Sequence, residues 1–152
     1  MRNGMKDRRG FTLVEVLIVI AIMGIVATIA SSNWSKYTSN TNLRAAARDV
    51  ASDFFVTREK AVSESVNYRI TFDVAANNYV ITKLSDGTTQ TKTPASFGRE
   101  IALQTVNFGG NVDFQTRGTV SNGNLVLVND RGSKATITVN ITGRTYVKFE
   151  ML

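Results

Sequence analysis

Cysteine and histidine are both absent from this chain, and proline occurs once, at Pro94. Without cysteine there is no disulfide staple, no thiolate zinc site and no thiol nucleophile. Without histidine there is no imidazole base for a nucleophile–base–acid triad. Carboxylate-only hydrolysis stays open in principle, but it needs a paired set of acids that this sequence does not display. No glycine-rich stretch is followed by Lys-Ser or Lys-Thr, so there is no phosphate-cradling loop. Gly109-Gly110-Asn111 and the run from Gly118 to Gly123 read as turns between strands. Asp73, Asp86, Asp113 and Asp130 sit singly near turns, unlike the closely spaced oxygen ligands of a calcium loop. No metal, no cofactor and no enzymatic activity are expected.

Charge is also missing from one long stretch. Residues 16–35 carry no ionisable side chain, and most of them are apolar. Such a run is long enough to cross the roughly 30 Å hydrocarbon core of a bilayer. It is preceded by Arg8-Arg9-Gly10-Phe11-Thr12-Leu13-Val14-Glu15, a basic leader that meets a lone glycine and then an acid at the start of the apolar segment. The net charge is +6, and half of it lies in residues 1–10, where Arg2, Lys6, Arg8 and Arg9 outnumber Asp7. Positive charge ahead of a membrane helix keeps that end cytoplasmic, which places everything beyond residue 35 on the far side.

An ordinary secretory signal peptide, cut near Ala27-Thr28-Ile29-Ala30-Ser31-Ser32, is one alternative. Glu15 inside its apolar region argues against it. A plain single-pass anchor is another. Thr12-x-x-Glu15 fits a capping box, in which hydroxyl and carboxylate satisfy each other's backbone donors at a helix start. Beyond residue 30, Trp34, Lys36 and Tyr37 suit a membrane interface.

The helix then becomes amphipathic. Leu43, Ala47, Val50, Ala51, Phe54, Ala61 and Val62 recur at helical spacing, while Arg44, Arg48, Asp49, Asp53, Arg58 and Glu59 take the other face. Asn40-Thr41-Asn42 weakens the pattern without breaking it. A helix from Thr12 to about Ser65 is expected, its second half packed on a sheet and its first half projecting. From Val66 the period switches to two. Tyr68, Ile70 and Phe72 alternate with polar residues, Ala75-Ala76-Asn77-Asn78 turns, and Tyr79 to Leu84 pairs back as a hairpin. A polar loop runs through about Arg99. Short strands follow at 101–103, 106–108, 112–115, 125–128, 135–141 and 146–149, with a strong turn at Asn129-Asp130-Arg131-Gly132. One long helix followed by seven or eight antiparallel strands is an α+β arrangement.

Gly10 to Glu15, with the basic leader before it, resembles the processing site of type IV pilins and pseudopilins. The resemblance implies cleavage between Gly10 and Phe11 by a prepilin peptidase and N-methylation of Phe11. It also implies insertion in the bacterial inner membrane with the head in the periplasm. An assembly platform in that membrane would then extrude the subunit, with other pilin or pseudopilin subunits, into a periplasmic or surface filament. Glu15 would pair with the N-terminal amine of an adjacent subunit, a role compatible with its cap. The implied domains are a leader (1–10), a transmembrane and assembly half of the helix (11–35), an amphipathic half (36–65) and a β-rich head (66–152), together the pilin fold. Pilin-like chains often carry a helix-kinking proline where this one has Ser32. A straighter helix is therefore expected, or a bend at Ser31-Ser32 and Gly24.

Phe114-x-x-x-Gly118, the hairpin at Asn129 to Gly132, and Gly143-Arg144 narrow the resemblance to H-type minor pseudopilins of type II secretion and FimT/FimU-like minor pilins of type IV pili. These two are not separable from the sequence. Some FimT-like pilins bind DNA through Gly-Arg-x-Arg. Here Gly143-Arg144-Thr145-Tyr146 keeps the first arginine only. Arg144 and Lys148, with Tyr146 to stack on a base, are the residues that a DNA-uptake alternative would use. The bland alternative is a solvated strand edge guarded by basic residues.

Overall fold

The computed structural model describes residues 11–152, without the side chains of residues 29–34. Gly10 and the basic leader, and the side chains of Ser31, Ser32 and Trp34 invoked for a bend and an interface anchor, lie outside the described residues. Helix α1 runs Leu13–Ser63, and two compact units divide at its Ser35–Lys36 junction.

In the first unit, α1 starts one residue later than expected because Thr12 is its cap rather than its first turn. The side chains from Leu13 to Val26 are apolar almost throughout, and the large ones are exposed around the helix. A helix that is apolar all round is made to be buried by something outside itself. Among the described residues, no helix is long and apolar enough to cross a membrane. The described apolar side chains end before residue 29, so the expected span over 11–35 is not carried by them alone.

The second unit, Lys36–Leu152, holds the rest of α1 and eight strands. These are β1 (Tyr68–Asp73), β2 (Asn78–Lys83), β3 (Thr89–Lys92), β4 (Ala102–Asn107), β5 (Asn111–Phe114), β6 (Gly123–Val128), β7 (Lys134–Val139) and β8 (Thr145–Glu150). They form two four-stranded antiparallel sheets, ordered β3-β2-β1-β5 and β4-β6-β7-β8. The α+β arrangement read from the sequence, one long helix followed by antiparallel strands, is the observed one.

Helical periodicity placed Leu43, Ala47, Val50, Phe54 and Ala61 correctly in the core. Val62 is exposed, and Thr57 takes a buried position that its hydroxyl concealed. Phe54 is the seat of the packing. Its ring lies 6.1 Å from those of Phe72, Phe108 and Phe114, which come from β1, from just after β4 and from the end of β5. Edge-to-face and tilted rings at this spacing add attraction beyond their buried area.

Two strand expectations need correction. The segment through Arg99 is not simply a loop. It contains β3, which pairs with β2 from Tyr79↔Lys92 to Thr82↔Thr89, and a 3-10 turn at Pro94–Ser96 capped by Thr93. Thr-Gln-Thr-Lys hides as a strand because it is an exposed edge with no buried face to impose alternation. The segments 101–103 and 106–108 are one strand, β4, whose register against β6 slips between Leu103 and Thr105. That bulge breaks the two-residue period and mimics a bend.

Candidate functional site

At the N-terminal end, the capping box forms. Glu15 N donates to Thr12 Oγ1 at 3.2 Å, and Thr12 N donates to Glu15 Oε2 at 3.5 Å. The cap engages one carboxylate oxygen. Phe11, Val16, Val19 and Ile20 line a shallow concavity of about 260 Å³ beside Glu15. Phe11 is 84% exposed, so an apolar wall and an acid face outward together. Of the expected processing pair, Phe11 is seen at the mouth of this concavity and Gly10 lies outside the described residues.

The second unit is fastened by polar contacts that converge on α1. Arg58, expected on the outer face, is half-buried, and its Nε donates to the Gly118 carbonyl at 2.9 Å. Gly118 and Gly143 both hold left-handed backbone, at φ 80° and 78°. A Cβ on Gly118 would lie 3.0 Å from Arg58 Nη2, and one on Gly143 would overlap Arg58 Cδ. The two glycines are the walls of a slot for the arginine stem. Local periodicity could not find Arg58, because what it meets is two turns 60 and 85 residues away. The two glycines of the sequence resemblance were the only signal.

Asn40-Thr41-Asn42, weak in helix propensity, has a tertiary reason. Asn129 Nδ2 donates to Asn40 Oδ1 at 3.0 Å, and Asn42 Nδ2 donates to Glu100 Oε1 at 2.9 Å. Buried Asn129 also accepts from the Arg131 and Ser133 amides at 3.1 and 2.9 Å, shaping the β6–β7 turn. Ser39 Oγ donates to Asp130 Oδ1 at 2.9 Å.

Of the three residues tied to nucleic acid, Arg144 and Tyr146 line one open groove of about 1070 Å³, between α1 and the start of β8. Lys148 does not join them. It projects further along β8 and pairs with Glu150 at 2.9 Å. Sequence reasoning missed the groove's opposite wall, Arg48 and Phe55 on α1: Arg48 reads simply as helix surface, and Phe55 falls outside the apolar stripe. Among the described residues, no group of three or more Asp or Glu is placed to hold a metal ion.

Residues 5–31 match the prokaryotic N-terminal methylation motif, and residues 46–143 match the family described as Type II transport protein GspH. Two fimbrial proteins of Pseudomonas aeruginosa are each 45% identical over 47 residues, 31% of this chain and 30% of theirs. The chain thus spans under a third of the length of those relatives. Among solved structures, the minor pseudopilin EpsH from the type 2 secretion system of Vibrio cholerae aligns with a TM-score of 0.60 at 13% identity. The alignment covers 71% of this chain and 97% of EpsH. A second EpsH structure gives 0.58 at 12% identity, over 71% and 94%. The likeness to EpsH is one of fold.

Proposed function

The chain belongs to the GspH family of type II transport proteins, and from that premise we propose that it is a minor pseudopilin of a type II secretion filament. It is a structural subunit rather than an enzyme. Prepilin peptidase cuts between Gly10 and Phe11 and the new amine is methylated. Before assembly the subunit is held in the bacterial inner membrane by residues 11–35, with the N-terminus cytoplasmic and the head of residues 66–152 periplasmic. An assembly platform in that membrane then moves it into the filament, where residues 11–35 pack among the helices of other pilin-like subunits.

The observation that carries this reading is the presence, on one chain, of the methylation motif over 5–31 and the GspH family over 46–143. Two features add support. The exposed side chains of the first unit are apolar on every side, which suits lipid first and a helical bundle afterwards. The Glu15 carboxylate stands in an apolar wall with one oxygen outside the cap, which supports a pairing with the amine of an adjacent subunit. A buried pair of that kind sets register more than it adds stability. The family match does not favour the DNA-uptake alternative, and Lys148 is committed to Glu150.

The test is Glu15→Leu at the native locus. The variant should be processed and inserted normally, yet be missing from sheared filaments. Incorporation at the wild-type level would sink the pairing role.

A further inference from the structure

Among the described residues, β8 is the terminal strand of its sheet and pairs with β7 alone. In an antiparallel strand, every second residue directs its N–H and C=O away from its partner, so one row of β8 backbone groups is open to a further strand. The groove described above runs beside the start of this strand. Its lining includes Arg48, Phe55 and Arg58 from α1 and Arg144, Thr145 and Tyr146 from the β8 side, and it contains no carboxylate.

Arg58 is engaged by Glu59 and the Gly118 carbonyl, but the other two cations of the groove are not used up. Among the described residues, no acid lies within ion-pair distance of Arg48 or Arg144, whereas Lys83, Lys92 and Lys148 are all paired. Phe55 and Tyr146, both among the lining residues, are 59% and 56% exposed. Thr145 Oγ1 is the one buried side-chain polar atom without a hydrogen-bond partner among the described residues. A buried hydroxyl without a partner is unusual enough to need an explanation, and a turn about χ1 would let it meet an incoming group.

We propose that this groove receives an extended, acidic peptide segment of another protein, added as a strand to the free edge of β8. Backbone hydrogen bonds to β8 supply the alignment, Phe55 and Tyr146 pack against its apolar side chains, and Arg48 and Arg144 hold its carboxylates. A polypeptide fits better than a nucleic acid for two reasons. Only a polypeptide can continue the ladder of β8. The positive field is also short and interrupted, by Glu59 on Arg58 and Glu150 on Lys148. The groove lies wholly within residues 36–152. Its occupancy is therefore separable from the filament reading, which turns on residues 10–15.

The test uses the full-length protein in detergent micelles and a labelled ten-residue peptide of alternating Glu and Val. Binding should be saturable and fall with added salt. It should weaken about tenfold or more in Arg48→Ala/Arg144→Ala, the scale expected for losing charge-assisted hydrogen bonds. The same peptide N-methylated at alternate amides keeps its charge but cannot pair as a strand, and should lose binding to a similar degree. Circular dichroism and the thermal midpoint of the double variant should match the wild type. Any one of four outcomes would overturn the proposal. These are no binding at millimolar peptide, equal binding of an alternating Lys–Val peptide, no effect of N-methylation, or tighter binding of duplex DNA.

Discussion

The Tyr79 hydroxyl donates to Asp53 Oδ2 at 2.6 Å, joining β2 to the helix it packs on. Lys92, from β3, closes the arrangement by reaching Asp53 Oδ2 at 2.7 Å and Asp49 Oδ2 at 3.0 Å. Three elements therefore share one polar knot beside the phenylalanine cluster. Burial first, then the hydrogen bond to Asp53, pushes the Tyr79 phenol far above its usual range. Burial works to lower Lys92, but its bonds to Asp53 and Asp49 outweigh that and hold it above its usual value.

Both groups therefore bind protons more tightly when folded. Their stabilisation is complete below the unfolded values, about pH 10, and is lost as pH rises through the folded ones. Urea unfolding should show stability falling above about pH 10. Tyr79→Phe should cost about 1.5–3 kcal/mol near neutrality, as for a hydrogen bond to a charged acceptor, and should flatten that alkaline fall. An unchanged pH profile would mean that the knot does not couple to folding.

Arg58 in its glycine slot gives a controlled comparison. Gly87 and Gly143 both have positive φ, at 73° and 78°, but a Cβ on Gly87 meets nothing within 4 Å. Gly87→Ala should cost only the backbone term, about 1 kcal/mol. Gly143→Ala adds displacement of the Arg58 stem and should cost about 1–3 kcal/mol more. Equal losses in thermal or chemical unfolding would show that the slot is not tight.

Asn129 serves the turn and the helix at once. Asn129→Ala should lower stability by about 1–3 kcal/mol, because the Ser133 amide is left buried without an acceptor. Asn42→Ala breaks a part-exposed bond to Glu100 and should cost less, about 0.5–1.5 kcal/mol. Reversal of that order would mean that the turn finds another acceptor.

The observed cap of Glu15 and its proposed pairing can be separated by chemistry. Thr12→Ala removes the hydroxyl cap and should weaken the helix start by about 1 kcal/mol, read by amide exchange, while filament incorporation persists. Glu15→Gln keeps an oxygen for the Thr12 amide but loses the charge, and should keep the helix start while abolishing incorporation. If Thr12→Ala abolishes incorporation and Glu15→Gln does not, capping rather than charge pairing is the requirement.

Much of this was legible in the residues. Leu43 to Phe54 announced a buried helical stripe, and Tyr68, Ile70 and Phe72 announced a half-buried strand, because burial imposes a period on side chains. β3 was illegible because its exposed Thr and Gln residues face no core. β4 was split by its bulge. Arg58 and Arg48 both looked like solvent-facing helix, since periodicity reports which side of a helix is apolar and not which turns later close over it. At Asn40 to Asn42 the local signal was truthful but incomplete. The weak helix formers are kept by bonds to residues 58 to 89 positions away.

Processing between Gly10 and Phe11 is decided by the intact mass and N-terminal fragmentation of the protein taken from its native membrane. The expected chain begins at N-methylated Phe11. A chain that begins at Met1, or after a cut near residues 27–32, would contradict it.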